Sequence, residues 1–401
     1  MHEDTLIATL AVSLGLAFAF GLLALRVRLP LLVGYLLAGI ALSPSTPGWV
    51  ADAHLAPQLA EIGVMLLMFG VGTHFSLRDL MAVRAIAIPG AVAQIGVATA
   101  LGALAAHLWG WPLGAGLLFG LALSVASTVV LLRALEQRGS LNSDDGRIAV
   151  GWLLVEDLVT VLALVLLPAL AGVLGGQAPP GFATPAGSLW TALAITLGKV
   201  ALFVALMLLV GARVFPWILR GVVRTQSREL FTLAAIALAL GVAYGCARLF
   251  DVSVALGAFF AGMVISGSDL SHKAASYLQP LQDVFTALFF VAVGMLFEPA
   301  VLWQHPLQVL TVLAIIVIGK SLAALAIVRL LGRSMHTALG VAAALAQIGE
   351  FSFILAVMGV SMKLLPPEGQ SYIVAGAILS ITLNPVIFAL TTRMRAAPQA
   401  A

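Results

Sequence analysis

The sequence predicts an all-α polytopic membrane protein of thirteen transmembrane helices. Of its 401 residues, 62% are apolar and only 9% charged, and the mean hydropathy is +1.11, far from the balance of a soluble domain. The apolar runs are about 20 residues long, enough to cross a bilayer as helices, and they lack the alternating segments of about ten that mark a β-barrel. Backbone groups in lipid must be satisfied internally, so helices are what remain. The third observation is charge: once spans are counted, the basic residues segregate to one side.

Runs bounded by charges or turn residues start near Asp4, Pro30, Pro57, Val83, Leu113, Arg147, Ser188, Glu229, Val252, Leu278, Pro306, His336 and Gln370. The first follows "MHED", with acids where a secretory signal carries bases, so it reads as an uncleaved span. Alternate loops then place sixteen Lys and Arg on one side and only Arg248 and Lys363 on the other, with Lys199 and Lys320 inside spans. Cytoplasmic loops hold the basic excess. The N-terminus is therefore expected outside and the C-terminus in the cytoplasm.

The chain also repeats. "LLVGYLLAGIALS" from Leu31 resembles "VALGAFFAGMVIS" from Val254, matching Gly34 and Gly39 to Gly257 and Gly262. "LLMFGVGTHF" from Leu66 resembles "LFFVAVGMLF" from Leu288, with Gly72 opposite Gly294. The twenty residues from Gly120 match in length those from Gly340. Spans 1 to 6 thus correspond to spans 8 to 13, with span 7 as a linker. A displacement of seven spans is odd, so the second copy crosses in the opposite sense. Such an inverted repeat places a transporter's substrate site near the midplane where the copies meet.

Ionisable groups stranded at that depth are functional candidates, since a charge at the bilayer centre costs about 2.5–3.5 kcal/mol even on insertion scales. Glu156 and Asp157 interrupt "VGWLLVEDLVTVLAL" in span 6; Lys320 lies in span 11 and Glu350 in span 12. The repeat register sets Asp157 opposite Asn384 of "SITLNPVIF", and Ser127 and Thr128 near Gln347 and Ile348. A carboxylate pair, a second acid, an amide, hydroxyls and a lysine converge on one locus. A desolvated carboxylate favours its neutral form, and a nearby positive charge restores the ionised one. Protonation and cation binding then compete for the same oxygens. Asp157 and Thr128 suit a monovalent cation, because a divalent ion prefers more fixed carboxylates.

Plainer roles stand beside these. Glu156 can simply neutralise Lys320, Lys320 can be an ion-pair partner or a proton carrier, Glu350 can be paired structurally at a helix break, and Asn384 before Pro385 can accommodate one. Lys199 in the linker span reads as snorkelling or paired, and Cys246 as a packing residue. His54, His74, His272, His305 and His336 fall at loops or span ends without clustered partners, so no metal ligand set is expected. Trp49, Trp109, Trp111, Trp190, Trp217 and Trp303 read as interfacial anchors.

"VEDLVTVLALVLLPAL", "SVASTVVLLRAL", "FFVAVGM", the Gly-Lys of span 11 and "AQIGEFSFIL" resemble the second monovalent cation:proton antiporter family, of the KefB, KefC and YbaL type, over Leu6 to about Arg395. The resemblance implies an NhaA-like fold, with spans 5 and 12 unwound and crossing near Thr128 and Gly349. It implies Asp157 as carrier carboxylate and Lys320 paired with Glu156. It implies a homodimer in which one transporter domain, about 1–395 with 396–401 as a tail, divides into two parts. A core of spans 4–6 and 11–13 (about 83–173 and 304–395) slides as an elevator against a scaffold of spans 1–3 and 7–10 (about 1–82 and 187–303). Members of this type commonly carry a cytoplasmic nucleotide-binding regulatory domain after the last span, whereas this chain ends at "TTRMRAAPQA". No dinucleotide fingerprint lies within it, so no cofactor or nucleic-acid partner is expected. The Glu-Asp pair also departs from the Gln-Asp of close potassium-efflux relatives and the Asp-Asp of electrogenic sodium exchangers.

The expected function is exchange of a monovalent cation, potassium before sodium on family likeness, for protons across the cell inner membrane. Two rivals are a channel-like potassium efflux pathway and a sodium-coupled organic-anion carrier, for which Lys320 would be the single cationic group. No "HExxH" and no Ser-His pair lies at depth, so an enzyme is not expected.

Overall fold

A computed structural model describes residues 4–46, 55–74, 77–141, 143–178, 189–250, 253–268 and 270–396. The histidine and tryptophan expected at positions 54 and 49, and the end of the tail, lie outside them. The described chain is helical throughout: α1 (Asp4–Arg26), α2 (Leu31–Ala41), α3 (Leu55–His74), α4 (Leu77–Leu108), α5 (Leu113–Ser124), α6 (Thr128–Gln137), α7 (Asp144–Leu170), α8 (Leu189–Leu206) and α9 (Ala212–Val223) come first. Then follow α10 (Arg228–Phe250), α11 (Val254–Ser266), α12 (Ser271–Met295), α13 (Val301–Gln304), α14 (Pro306–Ala314), α15 (Lys320–Leu330), α16 (Met335–Leu345), α17 (Glu350–Ser361) and α18 (Pro367–Ala396).

The expected starts are met closely at Asp4, Leu113 and Pro306, whereas α4 and α12 begin at Leu77 and Ser271, several residues before Val83 and Leu278. Charges such as Arg78 and Lys273 mark where the bilayer ends, but Lys and Arg are good helix formers, so the helices run on. Local chemistry sets other starts. Ser143, Ser253 and Ser334 each accept a backbone N–H of the first turn, and Pro306 opens α14 without needing its missing N–H.

Among the described residues, nine helices are long and apolar enough to cross a membrane, or ten if α16 and α17, bent by 45° at their break, form one span. This is a multi-pass membrane protein. The expectation of thirteen exceeds that number for a geometric reason. Of the shorter apolar helices, α2 has 11 residues and α11 has 13, about 16 to 20 Å at 1.5 Å per residue, less than the ~30 Å hydrocarbon core.

Glycine governs how these short helices pack. Gly39 of α2 lies against Gly294 of α12, and Gly72 of α3 against Gly262 of α11; a Cβ at any of the four would collide with backbone across the interface. Helices α1 to α3 and α8 to α12 pack together, as do α4, α5, α7 and α14 to α18; the sets meet chiefly along α7–α8 and α2–α18. A π-helical turn, Ile315–Gly319, directly precedes Lys320. Trp109 and Trp111, just past the end of α4, pack with Phe119 and Tyr372, Trp111 stacked on Tyr372. Trp217 and Trp303 are exposed.

Candidate functional site

Two helices are interrupted at the centre of the second set. Between α5 and α6 the chain is extended at Val125 and Ser127; between α16 and α17 it is non-helical from Ala346 to Gly349. Each break exposes backbone groups that a continuous helix would pair, and the two breaks abut. Ser127 N–H donates to Gln347 Oε1 at 2.9 Å, and Gln347 Nε2 donates to Ser127 O at 3.2 Å. Gly349 presses on Ser127 so closely that a Cβ would strike its backbone.

Helix α7 brings its acids to this junction. Consecutive helical residues diverge by about 100°, so Glu156 and Asp157 take different partners. Glu156 Oε2 accepts the backbone N–H of Ala126 at 2.8 Å. The Thr128 hydroxyl donates to Asp157 Oδ2 at 3.2 Å. The third acid, Glu350, is the first residue of α17, and its Oε2 accepts the Ser127 hydroxyl at 3.0 Å. Ser127 Oγ also accepts Val130 N–H, capping α6. Glu156, Asp157, Glu350, Ser127 and Lys320 are all buried. Glu350 and Glu156 are the like charges acting on Asp157.

Lys320 departs from the pairing implied by family likeness. Its Nζ donates to Gln347 O at 3.0 Å, and it forms no direct ion pair with Glu156, although the two charges act on each other through space. The carbonyl takes the ammonium because it lies at the unwound C-terminal end of α16, where free carbonyls and the helix dipole favour a cation. Asn384 serves the same end. Its Nδ2 donates to Ala343 O at 3.0 Å, and no hydrogen bond joins it to Asp157, so the register brings the two near one junction without contact. Ser321 completes this set, donating to Ala342 O.

One oxygen on each acid, Glu156 Oε1, Asp157 Oδ1 and Glu350 Oε1, is buried with no hydrogen-bond partner. Buried polar atoms in folded proteins are rarely left so. Among the described residues no group of His, Cys, Asp and Glu side chains is arranged to hold a resident metal ion. Gln94 was not foreseen. It is fully buried on α4, donates to Ser124 O at 3.1 Å and accepts Trp152 Nε1–H at 3.4 Å. Its sequence signal, an amide inside an apolar span, is weaker than that of Glu156 or Lys320 because amides cost less in lipid than ions, and unlike Asn384 it lies outside the repeat register of the acids.

Comparison with known proteins places this arrangement. Residues 12–393 match the family described as sodium/hydrogen exchanger, transmembrane. The chain belongs to that family. It is 61% identical over 389 residues to YbaL of Escherichia coli (strain K12), which bears the name of a cation/proton antiporter; the match covers 97% of this chain and 69% of the relative. It is 33% identical to the K(+) efflux antiporter 4 of Arabidopsis thaliana, over 90% of this chain and 60% of that one. In fold it is similar to the sodium proton antiporter MjNhaP1 from Methanocaldococcus jannaschii, with a TM-score of 0.74 over 99% of this chain and all of the other, at 15% identity. The family is one of transporters, not of enzymes.

Proposed function

We propose that this exchanger family member trades a monovalent cation, potassium in preference to sodium, for protons at Asp157. The observation that carries this is the set of three buried carboxylates around one lysine, each with an unpartnered oxygen. Fully ionised, the locus would hold an excess of negative charge, which is costly at this depth. A cation on Asp157 and the Thr128 hydroxyl relieves it, and so does a proton. Two occupants that neutralise the same oxygens exclude each other, and that exclusion is the coupling. Ser127 and Glu350 hold the breaks in register, Lys320 and Asn384 satisfy the end of α16, and Glu156 sets how much charge moves per cycle. The potassium preference rests on the names of relatives.

The movement we propose is a sliding of the core, α4 to α7 with α14 to α18, against a scaffold formed by the other helices, in a homodimer. Sparse packing between the two sets supports it. The two glycine crossings support the inverted repeat: exchanging Gly39 with Gly262 and Gly72 with Gly294 turns one crossing into the other. Ser127 and Gln347, equivalent in the register, bond to each other, as residues beside a pseudo-two-fold axis would. On this reading α3 and the shorter helices α2 and α11 complete thirteen traversals, the breaks at α5–α6 and α16–α17 cross, and the Arg-rich side is cytoplasmic in a bacterial inner membrane.

The test is purified protein in liposomes with an internal pH reporter, challenged in turn with potassium, sodium and lithium. Cation-driven proton movement, strongest with potassium, is expected. Potassium flux without proton movement would overturn exchange and favour a channel.

A further inference from the structure

A cavity of about 280 Å³ opens where the α1–α2 corner meets α6 and α18. Its walls include Arg28, Arg138, Leu25, Val129, Asn384 and Phe388, and among its lining residues there is no Asp or Glu. Val129, which lines it, follows Thr128 in the chain. Two guanidinium groups lining one cavity favour an anion there by simple Coulomb attraction. Arg138 lies over the Phe388 ring at 4.6 Å and is shared with an adjoining chamber of about 190 Å³ where Asp145 is a wall. Arg28 is set at the corner by a left-handed backbone, φ 62°, with its N–H bonded to Leu25 O.

We infer that this cavity seats the phosphate of an anionic membrane phospholipid between Arg28 and Arg138. Three features favour a lipid over a soluble anion. Both arginines belong to the Arg-rich side, where basic pockets between transmembrane helices meet anionic headgroups. Apart from the two arginines and Asn384 the lining is apolar. Exposed apolar side chains continue from the cavity along both flanks, Leu22 and Leu25 on α1 and Val386 and Leu390 on α18, giving acyl chains a path. The headgroup's negative charge complements the two arginines, and because the cavity is shared by the α1–α2 corner, α6 and α18, a bound headgroup restrains the relative movement of the two helix sets. The choice of leaflet rests on the orientation proposed above; binding itself does not depend on transport.

Delipidated protein in detergent is titrated with phosphatidylglycerol, phosphatidylcholine or inorganic phosphate, and thermal unfolding is followed. Phosphatidylglycerol is expected to raise the melting temperature, whereas phosphatidylcholine and inorganic phosphate leave it unchanged. The R28Q/R138Q variant should lose that rise, and R28K/R138K should keep most of it. A photoactivatable phosphatidylglycerol adds a readout on the unmodified chain and should label peptides containing Arg28 or Phe388. An equal rise with inorganic phosphate would replace the lipid by a soluble anion. Persistence of the rise in R28Q/R138Q, or labelling confined to other helices, would overturn the site. Failure of exchange in the liposome assay, with lipid binding intact, would count against the transport reading alone.

Discussion

The two helix breaks recruit charge of opposite sign. At the α5–α6 break it is the freed amides that draw an acid: Ala126 N–H goes to Glu156 and Ser127 N–H to the Gln347 side-chain oxygen, while neutral amide and hydroxyl groups take its carbonyls. The α16–α17 break offers carbonyls, and cationic or amide donors answer: Gln347 O takes Lys320 and Ala343 O takes Asn384. The difference teaches that much of the buried charge here is bound to backbone duty. Glu156 and Lys320 each complete an unwound end; Asp157 and Glu350 each have one hydroxyl partner and one unpartnered oxygen, but the partner of Glu350, Ser127, also caps α6, whereas Thr128 gives Asp157 a hydroxyl that serves no cap. Asp157 is thus the acid least committed to structure.

Substitution can break that contrast. Asp157→Asn should abolish cation-driven proton movement in liposomes while melting temperature and elution volume stay near wild type; exchange at a comparable rate would move the carrier role elsewhere. Lys320→Met should destabilise the protein by about 3–5 kcal/mol, since it strips a carbonyl of its donor and three acids of their counter-charge. Adding Glu156→Gln to that variant should recover part of the loss, and thermal unfolding of the single and double variants measures it. Gly349→Ala forces a Cβ into Ser127 and should cost about 1–3 kcal/mol, with slower exchange. Gln94→Leu should cost a similar or smaller amount, about 1–3 kcal/mol, by orphaning the Ser124 carbonyl. The mildest expected effect belongs to Glu156→Gln alone: turnover persists, but the charge moved per cycle or its pH dependence changes. Competition fixes the sign for the intact protein. Lowering pH on the cation side should weaken apparent cation affinity, by at most about tenfold per pH unit.

Much of the fold was legible because lipid leaves few choices. Apolar runs located the helices, and Glu156, Asp157, Lys320 and Glu350 stood out because charge at depth is expensive. The shortness of α2 was legible too, since Pro30 and the "SPSTP" after Leu42 bound its apolar run. The partner of Lys320 was not. Charge complementarity pointed to Glu156, whereas a backbone carbonyl freed by the break at Gln347 took the ammonium. The role of Gln94 was not legible either, because it comes from a carbonyl on another helix.

The sequence by itself determined that the chain is a helical membrane protein with three acids and a lysine at depth, because those properties follow from composition and span position. Only the tertiary structure decided which acid caps a helix end, which stays open to a cation or proton, and where Arg28 and Arg138 meet. Those outcomes depend on backbone groups released where two helices unwind against each other, and their positions in space are not encoded in any local pattern.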